Sequence, residues 1–243
     1  MKRSAKLLSL AVALMAGFGT STAQAADGSF KIGADLVSSY VWRGTEIGNS
    51  PAVQPNLTYT FSNGAALGAW GSYAIEKATD GANGSYRYQE VDLTLTVPVG
   101  PVSLSVTDYY IPDLSTATPD LRTRTTRAFD FSKNSSNTLE AGLAYSVGDL
   151  SLLAAYNFAG FDPLDKHAYY GEASYKFFNS KDGYSAKAIA GVGSKYFYGG
   201  VPSDETKLAL VNTGISVSKD KYTASYVYNP ISEKSSLVFM ASF

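Results

Sequence analysis

The sequence predicts an all-β protein, a single antiparallel transmembrane β-barrel of about twelve strands that follows a cleaved N-terminal signal peptide. Three observations predict this fold. Segments of about ten residues alternate between apolar and polar side chains, as strands do when one face meets lipid and the other a wet lumen. The first residues have the composition of a signal peptide. The final segment alternates as well, and it ends on an aromatic residue, Phe243.

A signal peptide is predicted over residues 1–25. Three basic residues stand within the first six positions, an apolar stretch covers residues 7–18, and Ala23-Gln24-Ala25 has the small-x-small pattern of a cleavage site. The apolar stretch is too short for a transmembrane anchor. We therefore expect cleavage before Ala26 and a single mature domain over residues 26–243.

Composition limits what the protein can do. The chain has 20 basic and 21 acidic residues, and the predicted signal peptide holds three of the basic residues and no acidic one, so the mature charge is −4. This small net negative charge does not predict the basic surface that a nucleic-acid-binding protein needs. The chain has no cysteine, which excludes disulfides and thiolate metal sites. Its 18 Tyr and 22 Gly, together with the alternation, are typical of a transmembrane barrel.

Twelve segments have the length and alternation of barrel strands. In one of them Val91, Leu93 and Leu95 alternate with Asp92 and Thr94. The connections alternate between short turns and longer loops, which is typical of bacterial barrels with short periplasmic turns and long extracellular loops. The predicted strands cover residues 30–43, 52–61, 65–75, 87–97, 102–111, 137–147, 150–160, 167–178, 184–197, 206–218, 222–229 and 235–243.

Aromatic residues are predicted to form two belts on the lipid-facing side, one at each membrane interface. The outer belt contains Tyr40, Trp42, Tyr73, Tyr110, Phe158, Tyr169, Tyr196 and Tyr228. The inner belt contains Phe30, Phe61, Tyr145, Phe177, Tyr184, Tyr222 and Phe243. Parity also places Trp70 toward the lumen and Asp108 toward lipid; either a bulge near Thr107 turns Asp108 inward, or Asp108 lies above the hydrocarbon.

Charged residues of both signs are predicted to line the lumen. Such a lining suits passive diffusion of small polar solutes through a channel. A second interpretation stays open, in which the same charges pair with one another and the filled barrel acts as an adhesin, a receptor or a structural protein of the envelope. The lining candidates are Lys31, Asp35, Arg43, Glu90, Asp92, Glu140, Glu172, Lys176, Lys187 and Lys195.

The longest predicted outer loop, residues 112–136, carries Arg122, Arg124 and Arg127. These side chains are candidates for attracting anions or for contacting the phosphates of lipopolysaccharide, and the loop is a candidate constriction of the lumen. The alternative is a solvated loop whose arginines pair with its own aspartates.

No catalytic, cofactor or metal site is predicted. The single histidine, His167, stands at the predicted outer rim near Asp162 and Asp165, with Ser203 on a nearby loop, and no Gly-x-Ser-x-Gly elbow is present. A rim hydrolase would need a His with such partners, but a lone rim His is more typical of a solvated residue. One His and no Cys also disfavour a transition-metal site. We therefore expect a protein that is not an enzyme.

An ordered series of short motifs gives a family resemblance. The stretch Leu36-Val-Ser-Ser-Tyr-Val-Trp-Arg-Gly44 opens the series, and Pro51-Ala-Val-Gln54, Gly68-Ala-Trp-Gly-Ser72 and Glu90-Val-Asp92 follow it. In this order the motifs resemble the bacterial Gcw_chp family of TorF-type porins, over essentially the whole mature chain. The resemblance implies an outer-membrane barrel with a channel role, without a defined substrate.

These observations together predict the location and the partners. We expect export through the periplasm to the outer membrane of a Gram-negative envelope. The expected partners are the lipid bilayer with its lipopolysaccharide, the barrel-assembly machinery that would read the strand ending at Phe243, and small polar solutes. The sequence does not define the solute or the oligomeric state.

Overall fold

The structure, a computed structural model, describes residues 21–25, 28–48, 50–80, 84–112, 127–131, 135–160, 167–199 and 207–243. Within these residues the chain forms seventeen strands and one five-residue helix, α1. No helix of the described chain is long and apolar enough to cross a membrane. The elements are β1 (Ser21–Ala25), β2 (Gly28–Val37), β3 (Tyr40–Trp42), β4 (Thr45–Ile47), β5 (Ala52–Phe61), β6 (Ala66–Ala74), β7 (Ala78–Asp80), β8 (Gly84–Tyr86), β9 (Gln89–Val99), β10 (Val102–Tyr110), β11 (Asn137–Val147), β12 (Leu150–Gly160), β13 (Tyr169–Asn179), β14 (Tyr184–Ser194), α1 (Lys195–Gly199), β15 (Leu208–Lys219), β16 (Tyr222–Asn229) and β17 (Lys234–Ser242).

Twelve of these strands form one closed antiparallel barrel, which confirms the predicted fold class. Around the barrel the strands follow the order β2, β17, β16, β15, β14, β13, β12, β11, β10, β9, β6 and β5, and β5 pairs back to β2. Each barrel strand thus lies beside the next barrel strand along the chain, and the last one meets the first. With β1 and β17 paired to the same side of β2, the described chain has no free sheet edge around the ring, which is the arrangement that satisfies backbone hydrogen bonds without water.

The two faces of the barrel wall have opposite character. On β9, Val91, Leu93 and Leu95 are exposed on the outside, whereas the alternating Glu90 and Asp92 are buried. Other strands repeat this pattern, so that large apolar side chains cover the outer surface while Gln54, Ser72, Glu140, Asn157, Ser174, Asn212 and Ser216 are buried. A water-soluble barrel would show the reverse distribution.

The two ends of the barrel differ in their connections. Short turns join β5 to β6, β9 to β10, β11 to β12, β13 to β14 and β15 to β16, and we call this end the short-turn end. The opposite end, called the loop end here, carries the longer connections, except between β16 and β17, where four residues form a connection no longer than the longest turns at the other end. The alternation predicted from the sequence is therefore present in the fold.

The seam between the first and last barrel strands is staggered. β17 pairs only with residues 35–37 of β2, while β1 pairs with residues 28–32 on the same side of that strand. Tilted strands produce such a stagger when a sheet closes into a barrel. Phe243 takes part in the seam, because its backbone N–H donates to Ala34 at 2.9 Å and its carbonyl accepts from Ala34 at 3.0 Å. The predicted cleavage site lies within β1, and the cleavage itself stays a prediction.

A hairpin made of β3 and β4 folds into the lumen. Its two-residue turn, Arg43-Gly44, has φ values of 49° and 86°, the left-handed pair that a type I′ hairpin turn requires. The predicted strand over residues 30–43 therefore ends early, at Val37, and the predicted outer loop begins as an inward hairpin. We call β3, the turn and β4 the lumen hairpin.

Two aromatic residues of the lumen hairpin correct the predicted belt. Tyr40 and Trp42 were expected on the lipid-facing side, but Tyr40 packs against Trp70, which lies on the inner face as predicted. Trp42 packs edge-on against Tyr109 at 5.8 Å between ring centroids. Alternation continues through β3, but the chain has already left the wall, so parity no longer reports which residues face lipid.

Asp108 lies on the outer face, as its parity predicts, and no bulge turns it inward. The pairing of β10 with both neighbours is regular through Thr107. The Asn137 amide donates to both carboxylate oxygens of Asp108, at 2.9 and 3.0 Å. Asp108 stands close to the loop end of β10, so this charge is hydrogen-bonded near the rim of the apolar surface.

The tip of the lumen hairpin touches the wall at β15. The pairing of β14 with β15 slips at Gly191, which leaves Val211 as an extra, fully buried residue of β15. A Cβ atom at Gly44 would overlap the Val211 carbonyl oxygen and would lie 3.0 Å from the Cα atom of Asn212. Glycine is therefore required here both for the positive φ and for the close approach to the wall.

We predict that Gly44→Ala destabilises the fold far more than Gly100→Ala. Both glycines have positive φ, 86° and 60°, so both substitutions carry a backbone cost of about 1–2 kcal/mol. Gly100 has nothing within 4 Å of the added methyl group, whereas the methyl group at position 44 meets the backbone of β15. Urea midpoints of the two variants, refolded in the same detergent, measure the difference. Equal midpoints would show that the hairpin tip is not tightly seated.

Candidate functional site

The site is built around the guanidinium of Arg43 at the tip of the lumen hairpin. Its Nη1 donates to Glu140 Oε2 at 2.6 Å, and its Nη2 donates to Glu140 Oε1 at 2.7 Å. The two side chains are only 9% and 6% exposed. A two-pronged, charge-assisted pair of this kind is among the stronger polar contacts in proteins and fixes the orientation of both groups. Arg43 and Glu140, both predicted to line the lumen, thus meet across it.

A further hydrogen bond to the Glu140 carboxylate comes from the neighbouring strand. Tyr109, on β10, donates its hydroxyl to Glu140 Oε1 at 3.0 Å. Arg43 Nη1 also donates to the hydroxyl of Tyr198, at 2.8 Å. The charge of Glu140 is therefore shared between a cation and a phenol, and no carboxylate oxygen of this residue lacks a donor.

Aromatic rings surround the same guanidinium. The Cζ atom of Arg43 lies 4.6 Å from the ring centroid of Trp42 and 4.5 Å from that of Tyr170. The ring of Tyr198 is 5.8 Å away. These distances are within the range in which a ring face attracts a cation. The guanidinium thus has a carboxylate for its N–H groups and aromatic rings beside it.

The helix α1 supplies Tyr198 and locks the hairpin in place. The backbone carbonyl of Tyr198 accepts a hydrogen bond from Thr45 Oγ1 at 3.1 Å and another from Asn229 Nδ2 at 2.8 Å. Thr45 belongs to the lumen hairpin and Asn229 to the wall strand β16. A single carbonyl therefore joins the hairpin, the helix and the wall.

The helix also corrects the predicted end of one wall strand. The predicted strand over residues 184–197 ends at Ser194, and Lys195 is the first residue of α1 rather than a residue of the wall. Tyr196, predicted for the outer aromatic belt, lies in the helix as well. A helix of five residues has too few turns to show a periodic pattern, so the sequence carried no signal for it.

A second carboxylate in the loop-end half is held by its own partners. Tyr170 donates its hydroxyl to Glu172 Oε2 at 2.5 Å. Asn212 donates from its amide to the Tyr170 hydroxyl at 2.9 Å and to the same Glu172 oxygen at 3.2 Å. Glu172, a predicted lining residue, therefore orients the ring that lies beside Arg43.

Glu90 and Asp92 form an acidic pair on the inner face of β9 with no basic partner. Both residues are buried, and within the described residues no lysine, arginine or histidine forms a salt bridge with either. Tyr88 donates to Glu90 Oε2 at 3.0 Å. Asp92 is 4% exposed, and its Oδ1 atom has no hydrogen-bond partner within the described part of the protein. Among the described residues, the inner face of the wall in the loop-end half thus carries more carboxyl groups than basic groups.

The predicted lysines of the wall strands lie toward the other end. Lys31 and Lys187 are half-buried, Lys176 is exposed, and Lys176 and Lys187 are Cα partners across β13 and β14, close to a short turn. Asp35 is buried beside Ser242, its partner across the seam. The predicted charges are therefore unevenly distributed along the lumen, with the acidic groups, Arg43 and Lys195 toward the loop end and Lys31, Lys176 and Lys187 toward the short-turn end.

The remaining predicted residues do not join this site. Arg122, Arg124, Asp162, Asp165 and Ser203 lie outside the described residues, together with most of the predicted outer loop over 112–136. Arg127 is described and exposed. His167 is exposed, and its Nδ1 atom is 2.5 Å from the hydroxyl of Tyr156. No group of three or more metal-ligating side chains occurs in the described part of the chain.

Sequence reasoning missed the aromatic residues that complete the site. Tyr109, Tyr170 and Tyr198 were not selected, because a tyrosine on an alternating strand fits an interface belt as well as a lumen. The only local sign of the hairpin was the dipeptide Arg43-Gly44, since glycine after a turn residue favours a tight hairpin. In the structure, the strands on either side of this dipeptide pair with each other, so that it forms the turn of a hairpin.

Comparison with known proteins supports one assignment. A search of curated proteins found no significant match. A family model described as "Bacterial protein of unknown function (Gcw_chp)" matches residues 22–228, from β1 through most of β16. The four motifs named above lie inside the matched range. The description names no activity, so the TorF-type porin label stays a prediction. The chain belongs to the Gcw_chp family of bacterial proteins.

Proposed function

We propose that the protein is an outer-membrane channel for passive diffusion of small polar solutes, and that the lumen hairpin closes it in the conformation described here. The observation that carries the proposal is the inverted wall, apolar outside and polar inside. A bilayer around the barrel and water within it would stabilise both faces.

The outer face supports a membrane location. The barrel strands have 8 to 12 residues, close to the 9–11 that a tilted strand needs to cross a bilayer. The predicted signal peptide and the strand that ends at Phe243 agree with export and with recognition by the assembly machinery. The same placement turns the loop end toward the cell surface, where Arg127 and the neighbouring loop arginines would meet lipopolysaccharide.

The inner face supports a path for solutes. In the short-turn half, small hydroxyl groups face the lumen and bond in pairs across neighbouring strands, such as Ser146 with Ser151 at 3.2 Å and Ser218 with Thr223 at 2.9 Å. Eight strands give a barrel that wall side chains fill, whereas sixteen leave an open channel. Twelve strands leave intermediate space, and in this chain the hairpin and α1 occupy its loop end.

A non-conducting barrel is the second candidate, and a specific observation favours it. The lumen hairpin reaches from β2 across to β11 and β15, and its Arg43 is fully engaged. If that closure is permanent, the protein serves as a surface adhesin, a receptor or a structural part of the envelope. The two candidates differ in the conductance expected once the hairpin is released.

We predict that Arg43→Ala opens the channel. The substitution leaves Glu140 buried without its cation, a loss that costs about 3–5 kcal/mol in buried ion pairs. Even the lower figure corresponds to about a hundredfold change in the ratio of open to closed barrels, because each 1.4 kcal/mol is tenfold. Single-channel recording in planar bilayers should show rare or small openings for the native protein and frequent, larger openings for the variant.

Lys187→Ala is the matched control, since it removes one lumen-facing cation that has no contact with the hairpin. We expect it to change ion selectivity with little change in opening frequency. Heat-modifiable gel mobility confirms that each variant is folded. A folded Arg43→Ala barrel as silent as the native protein would remove the channel proposal and leave the non-conducting one.

A separate prediction concerns export. The protein recovered from outer-membrane fractions should begin at Ala26, as determined by intact mass, and Ala25→Leu should accumulate the uncleaved precursor because the cleavage site needs a small residue. Ser29→Leu, a nearby change outside the predicted site, is the control and should be processed normally. An intact N-terminus on the native protein, or its recovery with the inner membrane, would contradict the proposed location.

A further inference from the structure

Arg43 is held as a bound ligand would be. Its partners come from four separate parts of the wall and helix, namely Glu140 on β11, Tyr109 on β10 through that carboxylate, Tyr170 on β13 and Tyr198 on α1. The guanidinium itself comes from the turn of a hairpin whose two strands pair with each other and not with a strand of the wall. The receptor is thus part of the barrel, and the cation is carried on a projection into it.

We propose that this receptor is a binding site for solutes that carry a guanidinium group, and that Arg43 is its tethered occupant. As a statement about transport, this proposal rests on the proposed channel function, because the binding site would define the class of solute that the channel favours. The binding itself can be measured without any conduction, so the two proposals can fail separately.

The carboxylate acceptor and the aromatic rings of the site select this class of ligand. Glu140 offers two oxygens that match the parallel N–H groups of a planar guanidinium, and the ring of Tyr170 lies 4.5 Å from its carbon. A guanidinium is weakly hydrated and stacks on aromatic faces, whereas an ammonium is a compact and strongly hydrated charge. A hard metal ion prefers six or more oxygen ligands, and this site has one carboxylate among phenol groups.

The charges around the site favour a cation whenever Arg43 is absent. Among the described residues, Glu140 would then join Glu90 and Asp92 as a third buried carboxyl group without a basic partner. In the same part of the protein, the Oδ1 atom of Asp92 has no hydrogen-bond partner. Since a buried carboxylate is stable only when it is paired, a cationic solute supplies the partner that Glu140 loses with Arg43. Anionic solutes would meet repulsion at the same place.

The tether explains why the native protein should bind such solutes weakly. A group on a short connection has an effective concentration of about millimolar or more at its receptor. Arg43 therefore competes with free solute for the receptor. Removing its side chain while keeping the hairpin backbone leaves the receptor free to bind the solute. For this reason Arg43→Ala is the protein to test.

The binding experiment uses the full-length mature barrel, refolded in detergent. Guanidinium chloride at low millimolar concentration is the probe, potassium chloride matches its ionic strength, and urea matches its planar shape without the charge. We expect guanidinium to raise the thermal midpoint of Arg43→Ala by a few degrees in a saturable way. Urea and potassium should give no shift, and the native protein should respond less than one tenth as much at the same concentration.

The double variant Arg43→Ala/Glu140→Gln separates the site from general effects. It keeps nearly the same shape but lacks the carboxylate, so its midpoint should not respond to guanidinium. Arg43→Ala/Glu46→Gln is the matched control and should respond like Arg43→Ala, because Glu46 is exposed and does not contact the guanidinium. Equal responses of Arg43→Ala to guanidinium and potassium, or an undiminished response of the Glu140 double variant, would overturn the proposal.

Failure of Arg43→Ala to fold would not end the test. The folded yield after refolding, measured by gel mobility, then becomes the readout. The proposal is supported if low-millimolar guanidinium restores the folded yield and urea and potassium do not. It is overturned if the yields are equally poor in all three solutions.

Conductance distinguishes this proposal from the channel proposal. If Arg43→Ala conducts, guanidinium should reduce its potassium current at least tenfold more effectively than sodium does. A current that guanidinium and sodium reduce equally removes the site but keeps the channel. A guanidinium-dependent thermal shift in a barrel that never conducts keeps the site but removes the channel.

Discussion

The ion pair between Arg43 and Glu140 is the interaction on which the loop-end half of the protein depends. Taking two charges out of water costs several kcal/mol each, and their attraction offsets that cost only when geometry and further hydrogen bonds are favourable. Here both carboxylate oxygens have donors and the guanidinium lies beside aromatic rings. The hairpin, α1 and the bulge at Val211 all bring groups to this one point.

The same interaction explains how a twelve-stranded barrel can have a closed lumen. Wall side chains fill an eight-stranded barrel, but a wider ring leaves space that either water or another part of the chain must occupy. In this protein the occupant is a hairpin whose tip needs Gly44 to approach the wall. Polar groups on the inner face give it partners, so the features that suit a wet lumen also stabilise the closed form.

Much of the wall could be predicted from the sequence, because period-two alternation is a direct consequence of strand geometry. Leu93 outside and Asp92 inside follow from it, and so does the outward Asp108. The inward hairpin could not be predicted in this way, since Trp42 fits the alternation of a wall strand equally well. The strand predicted to run through Lys195 ends at Ser194 for the same reason, because alternation does not mark the residue at which a chain leaves the sheet.

The separation of charge along the lumen limits how the hairpin can be released. Arg43 lies among acidic groups at the loop end, and the lysines at the short-turn end are too far along the wall to replace it at Glu140. Water that enters the site weakens the ion pair by raising the local dielectric, and every group that loses a partner then attracts more water. Release of the hairpin and wetting of the lumen should therefore occur together, as one transition between a dry, paired interior and a hydrated one in which a solute cation takes the place of Arg43.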